Sequence, residues 1–124
     1  RPFAPSCLEE AVGELFDCDV PSPFMLRVYN TRPEKLEEMA SVTHVDGGAR
    51  VQTVTKDSNP LYYNLISSFG ERTGLPCVLN TSFNIRGEPI VNSVTDALKC
   101  FFTTDLDTLF IGSFRIDKQQ KEDG

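Results

Sequence analysis

The sequence predicts a small α/β or α+β domain in which helices and strands interleave around at least one buried strand. Segments with helical spacing of apolar residues alternate with runs of β-branched and aromatic residues. The apolar content of 40% and the charged content of 24% are those of soluble globular proteins. A chain of 124 residues has room for one core, so we expect one domain over residues 1–116 and a solvated polar tail over residues 117–124.

The first half of the chain predicts one helix and one strand before a hairpin. Ser6 and Glu9 match a capping box, and the following apolar residues repeat at helical spacing, which predicts a helix over about 7–17. Residues 24–29 have the composition of a strand. A short polar helix or connection follows over residues 34–39.

The next segment carries turn chemistry between two apolar runs. Residues 42–45 and 49–54 flank Asp46-Gly47-Gly48, which predicts a hairpin, although a substrate loop would use the same flexible residues.

The second half contains the clearest helix signals. Pro60 stands in the first turn of a helix that ends between Gly70 and Gly74, with an apolar face running from Leu61 to Phe69. Residues 76–81 are mainly apolar and predict a central strand buried on both faces. A helix over about 93–103 and a final strand over about 108–116 complete the prediction.

The charge, hydropathy and cysteine content of the sequence disfavour several classes of function. The net charge is −6 and the basic residues are scattered, which disfavours extended nucleic-acid binding, and no apolar run could span a bilayer. The four cysteines lack metal-ligand spacing and read as reduced core thiols of a cytoplasmic protein, with a disulfide or a nucleophilic cysteine as the alternatives. We predict no metal site, and the first residues lack an initiator Met and a signal peptide, which indicates a piece of a longer protein.

Polar side chains follow the predicted buried strand. Asn80, Thr81, Ser82 and Asn84 occupy the position at which α/β proteins often bind ligands, beyond the carboxyl end of a strand. A simple Asx or Ser turn that ends a strand would use the same residue types.

Several charged residues are candidate ligand contacts. His44 and Asp46 lie in the glycine-containing turn, and Arg50 just beyond it offers a planar fork for a phosphate or carboxylate. Arg1 sits on a stiff proline-containing arm, and Arg86 follows Asn84. For each of them, a turn cap or a solvated surface charge is the structural alternative. The chain contains no phosphate-binding loop or dinucleotide fingerprint.

Five strings in register resemble the carboxy-terminal domain of carbamoyltransferases that act in nodulation-factor and antibiotic biosynthesis. They are Arg1-Pro-Phe-Ala-Pro-Ser6, Thr43-His-Val-Asp-Gly47, Ala49-Arg-Val-Gln-Thr-Val54, Leu79-Asn-Thr-Ser-Phe-Asn84 and Gly87-Glu-Pro-Ile-Val91. The resemblance implies a partial domain with a twisted mixed sheet flanked by helices, like YrdC and Sua5. It also implies a neighbouring Kae1-like domain in the same full-length chain, and that domain would hold iron.

The implied activity is formation of carbamoyl adenylate from carbamoyl phosphate and ATP, with Mg²⁺, before the Kae1-like domain transfers the carbamoyl group to an acceptor hydroxyl. The resemblance makes Arg50 and Ser82 catalytic, with nucleotide or substrate contacts from the other candidates: Arg1, His44, Asp46, Thr81, Asn84 and Arg86. The family's Lys/Arg-rich segment before Arg1 is missing from this sequence, which predicts weak phosphate binding and no activity for the fragment alone. The alternatives are a non-catalytic nucleotide-binding or regulatory module and an RNA-binding YrdC-like domain.

Overall fold

The structure is a computed structural model that describes residues 3–17 and 20–119. The chain divides into two compact units, a first unit over Arg1–Thr81 and a second unit over Ser82–Gly124. The described residues contain three β-sheets and three α-helices, which confirms the predicted α+β class. None of these helices combines the length and apolar character needed to cross a lipid bilayer.

The main sheet of the first unit has the order β4-β1-β5, and β1 (Ala4–Leu8) is its central strand. β1 runs parallel to β4 (Gln52–Val54) and antiparallel to β5 (Cys77–Asn80). The register sets Ser6 opposite Gln52 and Cys7 opposite Cys77.

The predicted helix over residues 7–17 is therefore wrong at its start. A 3₁₀ turn, Glu9–Ala11, follows β1, and only Val12–Leu15 form an α-helix, α1. Ser6 caps no helix, because its hydroxyl donates to Gln52 in the neighbouring strand. β1 forms backbone hydrogen bonds with a strand on each side, and the local sequence pattern could not indicate these distant partners.

A second, two-stranded sheet pairs β2 (Val28–Asn30) with β3 (Gly48–Arg50) in antiparallel orientation. The predicted strand over residues 24–29 is thus mostly wrong, since Met25 adopts a φ of 60° and the strand begins only at Val28. The predicted hairpin is also wrong, because β3 pairs with a strand 20 residues earlier in the chain rather than with residues 42–45.

The helix α2 (Pro60–Thr73) confirms the prediction from its caps. Asn59 Oδ1 accepts a hydrogen bond from the Tyr62 backbone N–H at 3.2 Å, and Gly74 ends the helix with a φ of 78°. The predicted apolar face is only partly buried. Ile66 is fully enclosed, whereas a stripe at four-residue spacing is exposed: Leu61, Leu65 and Phe69.

The core of the first unit has two clusters of buried side chains. One gathers residues from β1, α1, β5, the β2–β3 sheet and the segment before β3: Cys7, Val12, Leu15, Phe16, Tyr29, Met39, Val42, Ala49, Val51 and Cys77. The other packs Ile66 of α2 against the ends of β1 and β4: Leu8, Ala11 and Val54.

β5 is an edge strand and not the predicted central strand. It pairs only with β1 among the described residues, and Leu79 is half-exposed. Its apolar composition alone suggested burial on both faces, but the central place in the sheet belongs to β1.

The second unit consists of α3 (Val94–Phe102) and a hairpin of β6 (Thr108–Ile111) and β7 (Phe114–Asp117). Ser93 caps α3 by accepting from the Asp96 backbone N–H, which confirms the predicted helix. The single strand predicted over residues 108–116 is wrong, because the chain reverses at Gly112, whose φ is 56°. β7 extends to Asp117, and residues 120–124 of the predicted tail lie outside the described residues.

Candidate functional site

Three polar side chains, one from each strand, form a hydrogen-bonded row across the main sheet. The Ser6 hydroxyl donates to Gln52 Oε1 at 2.7 Å, and Asn80 Nδ2 donates to the same oxygen at 2.8 Å. Gln52 Nε2 donates in turn to the Pro23 carbonyl at 3.4 Å. Because Ser6 is fully buried and Gln52 and Asn80 are half-buried, this row fixes the end of β5 against β1 and β4.

The row was missed by the sequence reasoning. The sequence pattern predicts a helix cap at Ser6 and a ligand loop that includes Asn80, and it gives Gln52 no particular role. No local sequence signal marks the row, because its three members lie in separate segments that meet only through strand pairing.

Asp46 closes its own turn. Its Oδ1 accepts the Gly48 backbone N–H at 2.9 Å, and the Gly47 N–H donates to the His44 carbonyl at 2.8 Å. Both glycine N–H groups are therefore used within the turn. A Cβ at Gly48 would meet Val28 Cγ1 at 3.0 Å and Asp46 Oδ1 at 3.2 Å, so the turn requires a small residue there.

The imidazole of His44 and the guanidinium of Arg50 are exposed in this region. Arg50 is the last residue of β3, opposite Val28. Its side chain forms no ion pair with residues 3–17 or 20–119. A guanidinium with unused donors at the end of a strand can bind an anionic oxygen without first breaking an internal ion pair.

Asn84 likewise organises a turn, in the second unit. Its Nδ2 donates to the carbonyls of Ile85 at 3.1 Å and Glu88 at 3.0 Å. The turn contains Gly87 at a φ of 85° and presents the exposed Arg86. The amide nitrogen of Asn84 thus holds the loop that carries Arg86.

The hydroxyls of Thr81 and Ser82 are both exposed. Within the part of the chain that the structure describes, neither hydroxyl has a hydrogen-bond partner. They follow β5 directly, and both remain able to donate to a ligand oxygen.

A cavity of about 290 Å³ in the second unit lies beside the Asn84 turn. Its charged lining consists of the carboxylates of Glu88 and Asp96 and the ammonium of Lys99. Two carboxylates against one cation do not suit a phosphate group, so this cavity is a poor candidate for the anion site.

The structure distributes the predicted site residues between the two units. The first unit holds His44, Asp46, Arg50 and Thr81, and the second holds Ser82, Asn84 and Arg86. Arg1 lies outside the described residues. In the described ranges 3–17 and 20–119, no group of three or more His, Cys, Asp or Glu side chains could hold a metal ion.

A family model that covers nearly the whole chain shows which protein family it belongs to. The family model described as "Carbamoyltransferase C-terminus" matches residues 1–118. The chain belongs to this carbamoyltransferase family.

Individual relatives agree with this assignment. Nodulation protein NolO of Bradyrhizobium diazoefficiens is 49% identical over 96% of this chain, and nodulation protein NolNO of Sinorhizobium fredii is 51% identical over 96%. A 3'-hydroxymethylcephem-O-carbamoyltransferase of Streptomyces clavuligerus is 38% identical over 90% of the chain. The chain spans only 22%, 18% and 21% of these relatives, respectively.

Proposed function

We propose that this carbamoyltransferase C-terminal domain handles the nucleotide and the carbamoyl donor in an O-carbamoyl transfer. In this proposal, ATP, carbamoyl phosphate and one water give carbamoyl adenylate, pyrophosphate and inorganic phosphate. A separate Kae1-like domain then transfers the carbamoyl group to an acceptor hydroxyl. The observation that carries the proposal is the family match over residues 1–118, which includes relatives named for O-carbamoyl transfer.

The side-chain chemistry is consistent with this reaction. Adenylate formation concentrates negative charge on phosphoryl oxygens, and it needs positioned donors rather than a protein nucleophile. The exposed guanidinium of Arg50 and the exposed hydroxyl of Ser82 are donors of this type. We assign both to contact with the reacting phosphoryl groups.

The other candidates fall into two groups in this proposal. Thr81, His44 and Arg86 expose side chains that can contact nucleotide or substrate. Asp46 and Asn84 act mainly as positioning residues, since each uses a side-chain atom to close a turn. Arg1 is proposed as a further cation for the same anionic ligand.

Mg²⁺ enters this proposal only with ATP. Protein-bound Mg²⁺ commonly keeps its waters and uses substrate phosphates together with one or two carboxylates. The described residues offer no group of three or more His, Cys, Asp or Glu side chains that would hold Mg²⁺ without the phosphates of ATP. We assign no step of the reaction to a metal held by this domain, and iron would belong to the Kae1-like domain.

A larger partner domain accounts for the exposed apolar stripe on α2. Leu61, Leu65 and Phe69 are 83%, 58% and 41% exposed, and Phe69 also lines an apolar groove of about 420 Å³. Exposed apolar patches of this kind mark protein contacts. The relatives carry about four times more polypeptide than this chain covers, and we propose that this additional polypeptide packs on the stripe.

Calorimetric titration tests the ligand assignment. We expect Arg50→Ala and Ser82→Ala each to weaken binding of ATP or carbamoyl phosphate by about 10- to 100-fold, because each removes a charge-assisted contact worth roughly 1.5 to 3 kcal/mol. Arg72→Ala and Ser113→Ala are the controls, since both replace exposed residues of the same types that are not among the predicted site residues. Binding that neither site substitution alters would contradict the assignment.

The enzymatic proposal requires a turnover measurement on a full-length family member. Consumption of carbamoyl phosphate with release of pyrophosphate from ATP is the expected result. Nucleotide binding without consumption would favour a regulatory module, and preferential binding of RNA would favour the nucleic-acid alternative.

The partner proposal has its own test. The part of NolO that this chain does not match can be purified and mixed with this chain. We expect Leu65→Asp to weaken their association at least 10-fold, whereas Leu36→Asp, at another exposed leucine, should not. Association that is insensitive to Leu65→Asp would refute the docking face, and loss of a homodimer instead would assign the stripe to a second copy.

A further inference from the structure

Two cysteines face each other across neighbouring strands of the main sheet. Cys7 of β1 stands directly opposite Cys77 of antiparallel β5, and the Cys7 thiol donates a hydrogen bond to Cys77 Sγ at 2.8 Å. Directly opposite residues in antiparallel strands have Cα atoms about 4.5 to 5.5 Å apart. A disulfide spans Cα separations of about 4.4 to 6.8 Å, so the backbone already meets its requirement.

The two thiols differ in their access to solvent. Cys7 is completely buried, whereas Cys77 keeps 6% of its surface exposed and lines the apolar groove of about 420 Å³. The groove is bounded by Phe69, Leu75 and Leu79. A small neutral oxidant that enters it therefore reaches Cys77 before it reaches the fully buried Cys7.

We propose that Cys7 and Cys77 are an oxidation site that closes to a cross-strand disulfide on reaction with hydrogen peroxide. The Cys77 thiol loses its proton, its thiolate attacks one peroxide oxygen, and the O–O bond breaks to give a sulfenic acid and a hydroxide that takes up that proton as water. Cys7 sulfur then attacks the Cys77 sulfur, the S–O bond breaks, and the released hydroxide takes the Cys7 proton to form water. In total, two thiols and one peroxide give one disulfide and two waters.

The roles of the two sulfurs follow from their surroundings. The hydrogen bond to Cys77, followed by burial, raises the pKa of Cys7 far above its ordinary range. Cys7 is therefore a poor initiator, since the thiolate is the reactive form. It is well placed as the resolving thiol, because it already contacts Cys77 and can react before further oxidation to sulfinic acid.

A disulfide at this position would join two strands whose cysteines are 70 residues apart. Closing such a long loop restricts the unfolded chain. The oxidised protein should therefore resist urea better than the reduced protein, and reduction with dithiothreitol should reverse the gain.

Cys100 provides the matched control. It is also buried, at 2% exposure, and also lines a cavity, but it has no second described cysteine opposite it in a sheet. Cys100→Ser should leave formation of the disulfide unchanged, whereas Cys7→Ser and Cys77→Ser should each abolish it.

The experiment treats the folded 124-residue chain with hydrogen peroxide and measures intact mass. We expect the loss of two hydrogen atoms, and a cross-linked peptide containing Cys7 and Cys77 after cleavage at glutamate, which separates Cys7 from Cys18. Cys7→Ser should instead retain a sulfenic acid at Cys77 that dimedone traps. An unchanged mass in the unsubstituted chain, or a cross-link through Cys18 or Cys100, would overturn the proposal without requiring any variant to fold.

Discussion

Replacing Gly70 with alanine should destabilise the first unit, although the same change is stabilising inside most helices. Gly70 lies in α2, and a Cβ at this position would come within 2.8 Å of Pro76 Cβ and 2.9 Å of Pro76 Cα. Pro76 Cα is backbone, and the proline ring cannot rotate away. The added methyl group must therefore push α2 away from the segment that leads into β5.

Two opposing contributions set the size of the effect. Alanine gains about 1 kcal/mol over glycine in a helix interior. Inserting a methyl group into a packed site costs about 1 to 3 kcal/mol, and backbone contacts this short favour the upper end of that range. The net expectation is a loss of about 1 to 2 kcal/mol in the free energy of unfolding.

Urea unfolding followed by tyrosine fluorescence measures this loss. The chain has no tryptophan, and its three tyrosines, Tyr29, Tyr62 and Tyr63, all belong to the first unit. The midpoint should fall by about 1 M for a slope of about 1 to 2 kcal/mol/M.

Gly13→Ala is the control for this prediction. Gly13 lies in α1, and a Cβ there would have no heavy atom within 4 Å beyond its chain neighbours and the backbone of its own helix. We expect Gly13→Ala to raise stability by about 0.5 to 1 kcal/mol, because no clash offsets the helix gain. If Gly70→Ala were as stable as the parent chain, the close approach of α2 to Pro76 would be refuted.

Three further outcomes test other contacts. Ile66→Ala should cost about 2 to 5 kcal/mol by urea unfolding, because its side chain is fully buried. The hydrogen bond to Glu10 raises the pKa of Tyr63. Any stabilisation from this bond is therefore present below the ordinary tyrosine pKa and is lost as the pH rises through the pKa of Tyr63 in the folded protein. Glu10→Gln should lower the pKa of Tyr63 in a spectrophotometric titration. The hydrogen bond from the Thr108 hydroxyl lowers the pKa of Asp117. The contribution of this bond to stability is therefore lost as the pH falls through the pKa of Asp117 in the folded protein. Thr108→Val should raise the pKa of Asp117 in an NMR titration.

The sequence predicted the elements whose signals are local. Pro60 at the start and Gly74 at the end mark α2, and the helical spacing of Val94, Ala97 and Phe101 marks α3, because these signals act within one or two helical turns. The same local reasoning misled at Ser6 and Glu9, where the capping pattern occurs in the central strand of a sheet.

The remaining errors share a physical cause. β1 pairs with strands about 46 and 70 residues later in the chain, and β3 pairs with β2 across 20 residues. Strand pairing of this kind depends on which backbone groups meet in space, and hydrophobic periodicity does not encode it. The final hairpin was missed for a simpler reason, since only the two residues Gly112 and Ser113 separate its two short strands.

Only part of the candidate site could be predicted from local sequence patterns. The turn chemistry of Asp46 and Asn84 is local, and a turn is one of the two structures that the sequence pattern predicts for each region. The polar row could not be predicted from the sequence, because Ser6, Gln52 and Asn80 become neighbours only through the register of three strands.

The polar row also changes how the family strings should be interpreted. Three of the five strings contribute to it, so part of the resemblance is explained by a shared scaffold rather than by ligand contacts.

A comparison of two variants separates the structural role from the ligand-binding role. Gln52→Ala should lower the unfolding free energy by about 1 to 3 kcal/mol, because it leaves Ser6 and Asn80 without their common acceptor. Arg50→Ala should change that free energy by less than about 0.5 kcal/mol, because its exposed side chain forms no ion pair with the described residues, while it weakens ligand binding. Equal losses of stability for both variants would mean that Arg50 belongs to the scaffold, and the anion site would then have to rest on Thr81 and Ser82.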